Sequence, residues 1–172
     1  MSAVLDVEII KSKRHAKILG DFGENLVCNW LSRSGLEVQR FDYVGLDIVA
    51  HNPSTNERLG ITVKSRTRVS GKEQQEVNIF SYQKGKNDRQ KLLDACKDFG
   101  CQPWISAYVE TSEYADLYLT SLENYDNKYG SEKRPAIDTW KIKGKYREQY
   151  DKDPNVKHIR FEFHGTNWSW QQ

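Results

Sequence analysis

The sequence contains no apolar run of about 18 residues, the length at which a helix crosses a bilayer, so no segment is expected to span a membrane. Its start lacks a secretory pattern. Asp6 and Glu8 interrupt the first apolar stretch, and the basic run KSKRHAK follows that stretch instead of preceding it. An intracellular, cytoplasmic location is therefore expected. Cysteine is scarce. The three present, Cys28, Cys96 and Cys101, make an odd number without metal-ligand spacing and read as free, mostly buried thiols in a reducing compartment. The four histidines, His15, His51, His158 and His164, form no i, i+4 pair and no other metal spacing. A net excess of charge is missing too. The formal value is +2, so any case for a polyanionic partner has to be local. Internal repeats and low-complexity linkers are absent, and 172 residues suit one domain.

What is present is a globular composition, 37% hydrophobic and 12% aromatic, too apolar for a disordered chain. From about Ser12 to Ser34 the spacing of Leu19, Leu26, Val27, Trp30 and Leu31 predicts a helix, stopped by Gly35. Alternating strands follow at Leu36–Phe41, Leu46–His51 and Leu59–Arg66. A second helix is expected over about Asp88–Phe99, then a strand pair, PWISAYVE and YADLYLTS. The region after Leu122 is polar and aromatic, with a strand expected near Ile137–Ile142, a short helix near Lys145–Tyr150 and a last strand at HIRFEFHG. This is one mixed α/β domain, with a core over about 12–121 and an extension over about 122–172.

The chemistry concentrates in VGLDIVAHNPSTNERLGITVKSR, from Val44 to Arg66. If the turn centres on Thr55 and Asn56, antiparallel pairing puts Val49 opposite Thr62 and Asp47 opposite Lys64. Alternation then places Asp47, Thr62 and Lys64 on one face, with Ile61 and Val63 turned the other way into the core. Such a pair by itself is a cross-strand salt bridge. Glu24, at the margin of the first helix's apolar arc, adds a second carboxylate. Two carboxylates hold a hard divalent cation such as Mg²⁺, and an adjacent ammonium stabilises charge on a phosphate.

With GENLVCNWLSRSGLEVQRF, VGLDIVA and GITVKSR in sequence, the chain resembles the PD-(D/E)XK nucleases, in the flavour of Holliday-junction resolvases. The resemblance spans about Gly20 to Glu110. Glu24 matches the family's helix acid, Asp47 its motif aspartate, Lys64 its motif lysine, and Ser65 the small polar residue that often follows. Leu46 stands where proline is common. Thr62 stands where the second motif acid belongs, so a neutral hydroxyl replaces a carboxylate.

The resemblance implies a restriction-endonuclease-like fold, a three-layer mixed sheet flanked by helices. It implies a metal-dependent endonuclease acting on nucleic-acid phosphodiesters, DNA foremost. Mg²⁺ or Mn²⁺ would be held by Glu24, Asp47 and the Val63 carbonyl, with Lys64 orienting water or stabilising the transition state. An acid supplied from elsewhere, Glu73 or Glu76, is one alternative for the place of Thr62. A module on the same fold that binds nucleic acid or protein without cutting is another. Arg66, Arg68, Lys84, Lys86 and Arg89 form a locally basic stretch suited to phosphates, and Gln90 resembles a polar residue of resolvase-like relatives. A homodimer stays open.

Overall fold

The structure, a computed structural model, describes residues 9–82, 85, 87–132 and 136–164. The first eight residues, on which the leader reading rests, lie outside that set, as do Lys84 and Lys86. Among the described residues no helix is long and apolar enough to cross a membrane.

The helix expected from periodicity forms as α1 (His15–Arg33), with Leu19, Gly23, Val27 and Leu31 on its buried side. Three antiparallel strands follow: β1 (Glu37–Tyr43), β2 (Leu46–Asn52) and β3 (Glu57–Thr67). After the short β4 (Val77–Asn78), α2 (Asp88–Asp98) carries the chain across to β5 (Gln102–Glu110), which pairs in parallel with β3. β6 (Tyr114–Ser121) returns antiparallel to β5. Then come α3 (Leu122–Tyr129), β7 (Thr139–Trp140), α4 (Gly144–Lys152) and β8 (Lys157–Glu162). The result is a six-stranded mixed sheet in the order β1-β2-β3-β5-β6-β8, with a separate β4-β7 pair.

Strand alternation divides the core in two. Ile48, Ile61 and Val63 pack under α1 with Leu19, Val27 and Leu31. On the opposite face Leu46, Ile105, Ala107 and Val109 meet Leu92 and Cys96 of α2 and the ring cluster of Tyr118, Tyr125, Trp140 and Tyr150. Two glycines let helices come close. A Cβ on Gly60 would lie 2.5 Å from Cys96 Sγ, and one on Gly23 would collide with Ser65 Oγ. α3 was not expected from the polar run after Leu122. Its signal is there, however: Leu122, Tyr125 and Tyr129 are spaced as one helix face, and the Ser121 hydroxyl caps the Asn124 N–H.

The expected hairpin register needs correction. The pairing runs from Asn52↔Glu57 to Ile48↔Ile61, which places Asp47 across from Thr62 instead of Lys64. The cause is the turn. Asn56 takes a left-handed backbone at φ 59° and donates its N–H to the Asn52 carbonyl, so the loop closes over 53–56, centred one residue earlier than expected. A slip of two residues preserves the face of every side chain, so the alternation reading stands.

At the far edge of the sheet the β6–β8 pair is tied by a charged cluster around Asp116, itself 2% exposed. Arg160 donates to it from Nε and Nη2, both at 2.8 Å, and His158 Nε2 lies at 2.9 Å. His158 Nδ1 faces Asp151 of α4 at 2.6 Å, while its ring stacks on Tyr118. Arg147 of α4 lies 3.6 Å from the Asp116 carboxylate. Burial alone would raise the Asp116 pKa, but Arg160 and then His158 outweigh it and hold the carboxyl at about 2. Burial alone would lower the His158 pKa, and the two flanking carboxylates reverse that, for a net rise.

The stability His158 contributes is therefore full below its ordinary value of 6.5 and is lost as pH rises through the elevated folded value. Asp116 contributes fully above 3.8 and loses its share as pH falls toward about 2. The melting-temperature gap between wild type and His158→Gln should narrow as pH rises above 6.5 and through the elevated folded value. A gap that stays constant as pH rises above 6.5 would contradict this account of the cluster.

Candidate active site

The ladder between β2 and β3 stops at Ile48↔Ile61, so past that point one edge of β3 faces no strand. Asp47 fills the gap. Its Oδ2 accepts the Val63 N–H at 2.6 Å and the Thr62 hydroxyl at 3.0 Å. The N–H and C=O of one strand residue point to the same edge, so the Val63 carbonyl also faces the side that Asp47 occupies. Thr62, where the sequence motif expects an acid, is buried and serves as a donor to Asp47.

Glu24 comes from the other face. Gly23 lets α1 settle against Ser65 of β3, which carries Glu24 down to the sheet. Glu24 and Asp47 line one polar cleft of about 400 Å³, together with Lys17, Asp21, Arg40 and Asp42. Arg40 of β1 dominates its electrostatics. Its guanidinium donates to Glu24 Oε2 from Nε at 3.0 Å and Nη2 at 2.5 Å, and to Asp21 Oδ1 at 3.1 Å. Hydrogen bonding to Glu24 and then Asp21 raises the Arg40 pKa further. Asp21 is pulled below the usual carboxylate value by Arg40 and then by Lys17. The sequence reading missed both Arg40 and Asp21. Asp21 lies one helical turn before Glu24, and Arg40, paired with Ile48, alternates onto the α1 side of β1.

The remaining expected residues disperse. Lys64 is half-buried, its side chain makes no hydrogen bond or ion pair among the described residues, and it does not line the cleft. It sits on β3 two residues beyond Thr62 on the same face, a rise of about 7 Å. Arg66 is exposed at the end of the same row. Arg68 lies past the end of β3 and donates to the Glu76 carbonyl at 2.6 Å. Arg89 is bound through both Nη atoms to Asp126, under the Phe80 ring, and is committed to packing. Gln90 is exposed and donates to Asp94. Glu73 accepts the Gly71 N–H and Glu76 the Thr139 hydroxyl, so neither fills the place of Thr62.

The donor set can be tested against a divalent cation. Among the described residues no group of three or more His, Cys, Asp or Glu is placed to hold a metal ion. Yet Glu24 and Asp47 each use one carboxylate oxygen on protein donors, Oε2 and Oδ2, and no donor of the described residues meets Oε1 or Oδ1. Two free carboxylate oxygens and a strand-edge carbonyl fit a Mg²⁺ ion that keeps most of its waters. The neutral hydroxyl of Thr62 and the counter-charge of Arg40 make such a site weak.

No protein-family description and no curated protein matches the chain. Among solved structures, the chain matches Hjc from Archaeoglobus fulgidus, a Holliday junction resolvase from an archaeal hyperthermophile. The match has a TM-score of 0.44 and 17% identity, and covers 59% of this chain and 71% of that one. The chemistry of the cleft rests on its own residues.

Thr62→Glu supplies a test. Without divalent cation a second carboxylate against Asp47 should destabilise the protein by about 1–3 kcal/mol, and added Mg²⁺ should restore part of the loss. A melting temperature lowered equally with and without Mg²⁺ would mean that the cleft holds no metal.

Proposed function

We propose that this protein hydrolyses nucleic-acid phosphodiesters, DNA foremost, with Mg²⁺ or Mn²⁺ at the open end of β2 and β3. One observation carries the reading: Glu24 of α1 and Asp47 of β2 line the same cleft, each with one carboxylate oxygen free of protein donors. A divalent cation bound there would supply a Lewis acid and lower the pKa of a bound water. The protein's own residues do the rest. Glu24, Asp47 and the Val63 carbonyl would hold the ion. The Thr62 hydroxyl and Val63 N–H fix the rotamer of Asp47. Lys64, a half-buried ammonium with no carboxylate partner among the described residues, would meet charge on the phosphate.

A second reading, binding without cutting, is favoured by one specific feature. Arg40 occupies Glu24 with two hydrogen bonds, and Thr62 withholds the second motif acid. A guanidinium in that place serves equally as a contact for a phosphate.

Cleavage in Mg²⁺ or Mn²⁺ on a panel of junction, duplex and single-stranded substrates separates the two. Asp47→Ala should lower metal-dependent cleavage by about 100-fold or more. Lys64→Ala should lower it similarly while leaving metal affinity nearly unchanged. If the wild type never cuts, the binding reading replaces the enzymatic one. If it cuts and both variants match it, the site lies elsewhere.

A further inference from the structure

Past the end of β3 lies a second pocket, of about 460 Å³, with the opposite charge. Lys11, Arg68 and Lys72 line it together with Thr67 and Gln75, and among the described residues no acidic side chain does. The pocket's cations are anchored from below by neutral groups. Lys11 Nζ donates to the Thr67 carbonyl at 2.9 Å, and Arg68 Nη2 to the Glu76 carbonyl. Arg68 Nε is buried without a hydrogen-bond partner.

The neighbouring carboxylates are spent elsewhere. Glu110 takes the Thr67 hydroxyl at 2.6 Å and lies near His15, Glu73 takes the Gly71 N–H, and Glu76 takes the Thr139 hydroxyl. Among the described residues none of the three cations has an ion-pair partner. Burial first, and then the charge of Arg66, lowers the Arg68 pKa, the response of a cation crowded by a like charge and lacking a counter-ion. A guanidinium fork flanked by two ammonium groups around a pocket of this size suits a tetrahedral, multiply charged oxyanion.

We propose that Lys11, Arg68 and Lys72 form a phosphate-binding pocket, separate from the Glu24–Asp47 cleft. The pocket itself stands on these residues. Only the source of the phosphate rests on the nucleic-acid reading above. Arg68 lies five residues beyond Val63 in the chain, about 16 Å of extended strand. That span is about five base steps of a duplex. A polynucleotide crossing the cleft would therefore present a later backbone phosphate to the pocket, fixing register without reading bases.

Lys11 and Lys72 are exposed, so the double variant Lys11→Gln/Lys72→Gln removes two charges without touching the core. Binding of a labelled duplex is measured by anisotropy in EDTA, where the presence or absence of cleavage has no influence. The charge-matched control is Lys97→Gln/Lys152→Gln, two exposed lysines on α2 and α4. The pocket variant should weaken binding about three- to tenfold and lower the slope of log affinity against log salt by about two, with the control near wild type. Calorimetry with inorganic phosphate forms the second arm. Loss of phosphate binding with unchanged duplex binding would keep the pocket and assign it to free phosphate. Equal weakening by the control, or no effect in either arm, overturns the proposal.

Discussion

The site depends on one carboxylate finishing what a strand leaves undone. β2 ends before β3 does, and an uncovered N–H at Val63 would otherwise seek water at a half-buried edge. Asp47 satisfies it with one oxygen and takes the Thr62 hydroxyl with the same atom. That arrangement fixes the carboxylate, leaves its second oxygen without a donor among the described residues, and explains why a hydroxyl is accommodated where the resembling nucleases carry an acid. A donor at position 62 supports Asp47, whereas a carboxylate there would repel it unless a cation lay between them.

Charge is segregated around this point. The cleft collects acids at the β1–β2 end of the sheet, held in check by Arg40 and Lys17. The pocket beyond β3 collects cations with no acid among its described lining residues. A net charge of +2 conceals both features, because they cancel in the sum. β3 connects them physically, carrying Thr62 and Val63 at one station, Lys64 and Arg66 along its face, and ending next to Arg68. The parallel ladder to β5, running from Leu59 to Thr67, keeps that strand paired without interruption on its far edge. Rigid elements of this kind hold a site more closely than loops do.

Much of this was legible in the sequence, and the rest had physical reasons for hiding. The faces of Asp47, Ile61, Thr62 and Val63 followed from a period of two, and the two-residue slip of the hairpin left them unchanged. The register did not, because it hangs on the left-handed backbone of Asn56, and the residue types of the loop suit more than one closure. Glu24 was placed at the right margin of α1, but its partner Arg40 sits 16 residues away on another element, a tertiary pairing that periodicity cannot foresee. Arg89 read as a phosphate contact from its basic neighbourhood, and its bond to Asp126 was equally invisible. β4 has two residues, too short for any pattern, and the strand expected near Ile137–Ile142 is present only as the two residues of β7.

The central claim is that a divalent cation binds between Glu24 and Asp47. Paramagnetic broadening of backbone amide signals by substoichiometric Mn²⁺ addresses it without reference to any substrate. The account predicts that broadening begins at the amides of Glu24, Asp47 and Val63 and is removed by excess Mg²⁺. Broadening that starts instead at Asp116, Asp153 or scattered surface acids, with Asp47 and Val63 untouched, would contradict it.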